Sequence, residues 1–329
     1  MQVMSQEDFQ GLAVFDPEGA KKRLDLMLGN GRLIHYTTAD VALKIFRSSE
    51  VWMRNVRCMN DFSEVEHGVS MMHRFFMPPD DDHPDVGRAA FIDALNSLFP
   101  EVFENTIGNM NAWLHTIINE SYITCLSEHS KSEGDNGRLS MWRAYGSGTV
   151  GVGILINPLP LYSVTSALGA YSSPVSYYDQ EQYFSYLRNV TENIIKEADF
   201  LKKLGEERVS GYFFNLMLMS ALCCKHPGFL EEKEWRIIHI PKMWKEGVLK
   251  RSTEVVGGVP QSVYKIPLKD IDGEIEGIML EKLLDRIIIG PTAYPLTVSE
   301  ALIAELKTLD VPDAESKVVA SRIPLRNGF

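Results

Sequence analysis

The chain has four cysteines, Cys58, Cys125, Cys223 and Cys224, and none stands in a C-x-x-C pair or at zinc spacing from a histidine. That spacing reads as reduced, mostly buried thiols and excludes a disulfide framework or a structural zinc site as the organising device. No run approaches the roughly 18 apolar residues of a membrane-spanning helix, so no membrane partner is expected. The start, MQVMSQEDFQGLAVFD, lacks the basic first segment and continuous apolar core of a signal peptide, which makes the cytoplasm the expected location. There is no G-x-x-x-x-G-K-[ST], no H-E-x-x-H and no G-x-S-x-G, so P-loop, zincin and serine-hydrolase chemistry lack their minimum signals. Basic charge is also short. The net charge of −11 disfavours a surface that grips nucleic acid through many phosphate contacts, although a local basic groove leaves nucleic acid open as a substrate. No metal is expected: the one acid–histidine run, Pro78 to Asp85, carries three prolines and reads as a solvated surface loop.

What is present is ordinary globular material, 45% hydrophobic in 329 residues, enough for a large core. Residues 6–29 read as helical. Leu33-Ile34-His35-Tyr36 reads as a short strand, and Thr38 or Asp40 as the cap of a helix from Val41 to Ser48. Val51-Trp52-Met53 is expected as an edge strand, and Asn60 or Asp61 as the cap of a helix running to Phe76. Helical periodicity returns over 86–119 and, with a break near Gly205, over 179–224. Strands are expected at Tyr122–Ser127, Val150–Ile156, Pro174–Tyr178, around Trp235, near Val255, at Val263–Ile266, Ile275–Leu280, Arg286–Ile289 and Val318–Ser321. A short helix, Leu139 to Tyr145, carries Trp142 and Tyr145 one turn apart. The order is α+β, a mixed sheet within one elaborated domain over 1–329, with helical insertions at 60–119 and 179–224.

Gly146-Ser147-Gly148-Thr149-Val150-Gly151 matches G-x-G-x-x-G, but it follows a helix and opens a strand, the reverse of a dinucleotide-binding turn. A more informative stretch is Glu231-Glu232-Lys233-Glu234-Trp235-Arg236-Ile237-Ile238. Strand alternation would put Glu232 and Glu234 on one face if the strand already begins at Glu232, and paired carboxylates can take different protonation roles. The competing reading is a strand with a solvated acidic entrance. With His35-Tyr36-Thr37 at another strand end and the Trp142 and Tyr145 rings, these residues would suit NAD. Aromatic faces attract a pyridinium by about 0.5–2 kcal/mol. A carboxylate stabilises the oxocarbenium-like state formed as a glycosidic bond breaks.

The order His35-Tyr36-Thr37, Asn60-Asp61-x-x-Glu64, Cys125-Leu126-Ser127, Met141-Trp142-x-x-Tyr145, Lys225 with Glu232-x-Glu234-x-Arg236, Gly290-Pro291 and Ser321-x-x-Pro324 resembles the bacterial domain-of-unknown-function 2971 family, from residue 32 to 326. That family in turn resembles, more remotely, the ADP-ribosyltransferase fold, with its split mixed sheet and its toxin-type and phage-defence members. The resemblance implies NAD as substrate and Glu234 as the catalytic acid that binds the ribose hydroxyl. Glu232 would activate the acceptor. It implies that His35, Tyr36, Thr37, Ser127, Trp142 and Tyr145 bind NAD, while Asn60, Asp61, Glu64 and Arg236 serve acceptor binding or structure. The implied partners are an acceptor macromolecule and an inhibitor or antitoxin. An NAD glycohydrolase and a non-catalytic binding or regulatory module are the alternatives.

Overall fold

The computed structural model describes residues 5–29, 31–59, 63–78, 85–146, 148–162, 168–244 and 247–324, and local sequence rules set most of its element boundaries. The first helical stretch is two helices, α1 (Gln6–Phe15) and α2 (Pro17–Leu28). Asp16 ends one and caps the other by accepting the Gly19 N–H, with Pro17 in the first turn where its missing donor costs nothing. After β1 (Arg32–Thr38), Thr38 accepts the Val41 N–H and so caps α3 (Ala39–Ser48). Then come β2 (Glu50–Asn55), α4 (Ser63–Phe76), α5 (Arg88–Asn96), α6 (Val102–Glu120), β3 (Tyr122–His129), α7 (Leu139–Tyr145) and β4 (Gly151–Ile156). The chain continues with β5 (Tyr171–Pro174), β6 (Ser176–Tyr177), α8 (Gln180–Lys196), α9 (Ala198–Leu204), α10 (Glu206–Cys223) and β7 (Cys224–Lys225). It closes with β8 (Glu234–His239), β9 (Lys250–Val256), β10 (Val259–Pro267), α11 (Leu280–Leu283), β11 (Leu284–Ile289), α12 (Pro295–Thr308), α13 (Ala314–Lys317) and β12 (Val318–Ala320). Asn60 and Asp61, read as caps of α4, lie outside the described residues, as do 79–84 of the acid–histidine loop; for Glu64 only the backbone is described.

The architecture is α+β. Among the described residues ten strands form a mixed, largely antiparallel sheet in the order β12-β11-β4-β1-β3-β2-β10-β9, with β8 paired to β3 and β5 to β8. β11 and β12 run parallel, and β6 and β7 make a separate parallel pair. One face buries Ile123 and Ile238 under α4, α5, α6, α8 and α10, whose phenylalanines meet edge to face, tilted or stacked: Phe76 and Phe91 at 5.4 Å, Phe91 and Phe213 at 5.3 Å, Phe103 and Phe213 at 5.7 Å. The two helical segments thus pack on each other as one layer. The other face buries Leu33, Trp235, Ile237 and Ile287 against Ile45 and Phe46 of α3 and Leu302 and Leu306 of α12.

Four expectations about strands are corrected. Pro174–Tyr178 is not one strand: β5 ends at Pro174 beside β8, and Ser176–Tyr177 forms β6 in the separate pair with β7. β2 is internal, because β10 and β9 extend the sheet beyond it. Residues 275–280 form no strand. Gly273 and Gly277 take positive φ, and Asp270 accepts the Ile278 and Met279 N–H groups, so the segment curls into α11. The strand around Trp235 begins at Glu234, not Glu232: Pro227–Glu232 is a 3-10 turn, and Lys233 stands at φ 42° between turn and strand.

Candidate functional site

β8 pairs with β3 along Tyr122–Ser127, so β1 and β2 must share the other edge of β3. β1 holds Arg32–Ile34 against Ser127–His129, and β2 holds Arg54 and Asn55 against Ile123 and Tyr122. Between those two short ladders, Thr124–Leu126 face no strand on that edge among the described residues, and β1 runs on against β4 alone to Thr38. A part-buried carbonyl at such a gap calls for a donor from outside the ladder. His35 supplies it, its Nδ1 lying 2.9 Å from the Cys125 carbonyl oxygen. α3 links β1 to β2 across the opening, which is a cleft of about 980 Å³ whose lining includes His35, Thr37, Trp52, Tyr145, Lys225 and Glu234.

A carbonyl oxygen only accepts, so His35 Nδ1 carries the hydrogen, and in the neutral ring Nε2 is left as an acceptor. Burial lowers the His35 pKa, and the bond to Cys125 offsets that only in part. The register sets Ile34 opposite Ser127 and Ser127 opposite Glu234, so Ile34, Tyr36 and Glu234 share one face of the sheet, while His35 and Thr37 project from the other. His35 and Glu234 line one cleft because the ladder between them opens.

Glu234 is 6% exposed, so the reading of a solvated acidic entrance fails at this residue, although Glu231 is exposed and Glu232 partly so. Arg236 grips both of its oxygens, Nε to Oε1 at 2.8 Å and Nη2 to Oε2 at 3.3 Å, and Lys225 Nζ lies 3.0 Å from Oε2. The hydroxyl of Tyr177 accepts the Glu234 N–H at 2.7 Å. Burial opposes the charge, but Arg236 and Lys225 outweigh it and hold the carboxyl down to about 2. Glu232 joins it from outside the strand, with Oε2 2.6 Å from Lys225 Nζ. Alternation therefore does not bring the two carboxylates together; a shared lysine does.

Three residues expected to touch a ligand are already committed. The buried Ser127 hydroxyl donates to the Glu232 carbonyl and accepts from Arg138 Nη1 at 2.8 Å, so it anchors the 3-10 turn. Arg138 reaches the same Glu232 carbonyl at 3.0 Å and the Glu133 carboxylate at 2.7 Å. Trp142 is 1% exposed, donates Nε1–H to the Asn136 carbonyl and packs edge-on to Tyr36 with ring centroids 4.8 Å apart. Tyr36 accepts the Arg138 N–H through its hydroxyl, and burial pushes that phenol up to about 12. Of the two α7 rings it is Tyr145, 39% exposed and one turn beyond Trp142, that reaches the cleft, which Tyr36 and Ser127 border while held by these bonds. Sequence reasoning gave no role to Trp52, Arg54 and Phe229, which also line the cleft, and quoted Lys225 without assigning it one. None of the four adjoins a candidate site residue in the chain, so no local signal marked them.

The G-x-G-x-x-G run is used for packing. Gly146 closes α7 and Gly151 opens β4, while Ser147 lies outside the described residues. Among the described residues no group of His, Cys, Asp and Glu is arranged to hold a metal ion, and no helix is long and apolar enough to cross a membrane.

No curated protein and no solved structure matches the chain. Residues 141–237, from Met141 of α7 to Ile237 of β8, match the family model described as "Protein of unknown function (DUF2971)", a segment that holds Tyr145, Lys225, Glu232 and Glu234 and stops short of His35.

Proposed function

We propose that the cleft binds NAD and that the protein is an ADP-ribosyltransferase, breaking the nicotinamide–ribose bond and passing ADP-ribose to a macromolecular acceptor. The observation that carries this reading is the opening of the sheet between β1 and β3, which brings the imidazole of His35 and the carboxylate of Glu234 to one cleft. His35 Nε2 would accept a hydrogen bond from a ribose hydroxyl, and the Tyr145 ring offers a face to the pyridinium. Glu234 stays ionised at neutral pH and places negative charge where an oxocarbenium develops. The C1′–N bond breaks with its electron pair leaving on nicotinamide. An acceptor lone pair then bonds C1′, and Glu232 takes the acceptor's proton. The volume lies within the roughly 300–1,000 Å³ of small-molecule sites. A toxin or phage-defence role follows only from the remote fold resemblance.

A non-catalytic binding module is favoured by one feature: Glu234 is already paired with Arg236 and with Lys225, which it shares with Glu232, so its charge serves a ligand only if that balance shifts. Incubation with labelled NAD and cell lysate separates the readings. Label on a macromolecule supports transfer, free ADP-ribose with nicotinamide supports a glycohydrolase, and binding without nicotinamide release supports the module. NAD should also raise the Tm in proportion to its occupancy, and more than adenine nucleotides do; no shift at all would overturn the proposal.

A further inference from the structure

Glu232 and Glu234 face the same ammonium without belonging to one strand. Lys225 Nζ lies 2.6 Å from one carboxylate and 3.0 Å from the other, and 4.7 Å from the centroid of the Phe229 ring. The lysine side chain is only 3% exposed. Its backbone is fixed as well, because β7 pairs with β6 so that Lys225 stands opposite Tyr177, the residue whose hydroxyl accepts the Glu234 N–H. Lys225 and Arg236 together balance the two carboxylates. A device for holding Glu234 alone would not need the lysine, since Arg236 already grips both Glu234 oxygens. What Lys225 adds is Glu232, a residue of the 3-10 turn whose side chain is 32% exposed.

We infer that Lys225 is the positioning residue of this site: it draws the Glu232 carboxylate out of solvent onto the Glu234 strand and thereby sets the ratio of ADP-ribosyl transfer to NAD hydrolysis. This rests on the reading of the cleft as a transferase site. Without the ammonium, two like charges a few ångströms apart repel, and Glu232 has water on its open side. Glu234 stays on Arg236 and still supports cleavage of the nicotinamide–ribose bond. The acceptor then has no base for its proton, and water takes its place.

The test compares wild type, Lys225→Met, Lys225→Arg and Glu232→Gln for nicotinamide release and label transfer from NAD, with crystal structures of the Lys225 variants. The ratio of transfer to release should fall about tenfold or more in Lys225→Met, the loss expected for a charge-assisted hydrogen bond. It should fall likewise in Glu232→Gln, which keeps Lys225 on Glu234, and hold within a few-fold in Lys225→Arg. In Lys225→Ala, added methylammonium should restore the ratio towards wild type, a rescue that a purely structural lysine would not show. An unchanged ratio in Glu232→Gln, or a Lys225→Met structure with Glu232 still beside Glu234, overturns the inference. If the wild type releases no nicotinamide, the transferase reading fails, and the position of Glu232 in the variant structures still decides whether Lys225 positions it.

Discussion

His35 donates its Nδ1 hydrogen to the Cys125 carbonyl at 2.9 Å, at the place where the β1–β3 ladder stops after Ile34 and Ser127. The bond does two things at once. It gives a partner to a carbonyl at the gap, and it fixes the tautomer that turns Nε2 into an acceptor.

His35→Ala should therefore lower stability by about 1–2 kcal/mol, the cost of taking a donor away from a part-buried carbonyl, read by urea unfolding at neutral pH. The pH dependence has a definite sign. The folded His35 titrates below its ordinary 6.5, so as pH falls below 6.5 the unfolded chain takes up the proton first and stability drops. His35→Gln should flatten that slope in a Tm-against-pH series. It should not abolish it, because burial lowers His129 and His239 in the same way.

Glu234 acts in a different pH window. Its folded value of about 2 lies below its ordinary 4.5, so its contribution is complete above 4.5 and is lost as pH falls from 4.5 towards 2. Glu234→Gln should cost about 3–5 kcal/mol at pH 7, since it leaves Lys225 and Arg236 facing a neutral amide, and should lose its difference from wild type near pH 2. On the transferase reading it should also abolish nicotinamide release while NAD binding changes little. Full nicotinamide release by this variant would sink Glu234 as the essential acid.

The neighbouring rings of α7 should separate cleanly. Trp142→Ala should cost about 3–5 kcal/mol in thermal or urea unfolding, because a fully buried ring and its bond to Asn136 are lost. Tyr145→Ala should cost far less stability and weaken NAD binding, read by calorimetry. The reverse pattern would restore Trp142 as the ligand-facing ring.

Gly290 tests how Trp142 is seated. A methyl group there would lie 2.8 Å from Trp142 Cε3, and one at Gly153 would lie 3.2 Å from Trp142 Cη2 and 2.6 Å from Ile34 Cδ1. Gly290→Ala should destabilise by about 1–3 kcal/mol, as overpacking does. Trp142→Phe should relieve part of that loss in the double variant, measured as a non-additive unfolding free energy.

Much of this molecule is legible in its sequence because the forces involved are local. Thr38 caps α3 with its own hydroxyl, the run into Trp235 is a strand, and the α+β order follows from periodicity and turn residues a few positions apart. His35 and Glu234 could be singled out on the same footing, as polar residues read at strand ends, although β1 runs on to Thr38 and carries His35 at its middle. Their environment could not. Helical spacing makes Trp142 and Tyr145 neighbours without saying which turns inward; that was decided by Gly151, Gly153 and Gly290, whose missing side chains make room for the indole. A two-residue spacing made Glu232 and Glu234 partners for the wrong reason, since alternation ends at Lys233 and the true link is an ammonium on β7, held opposite Tyr177. The cleft itself exists only because β1 and β2 take different ends of one edge of β3. Burial, charge pairing and strand partnership depend on residues brought together from far apart along the chain, and a local pattern carries no record of them.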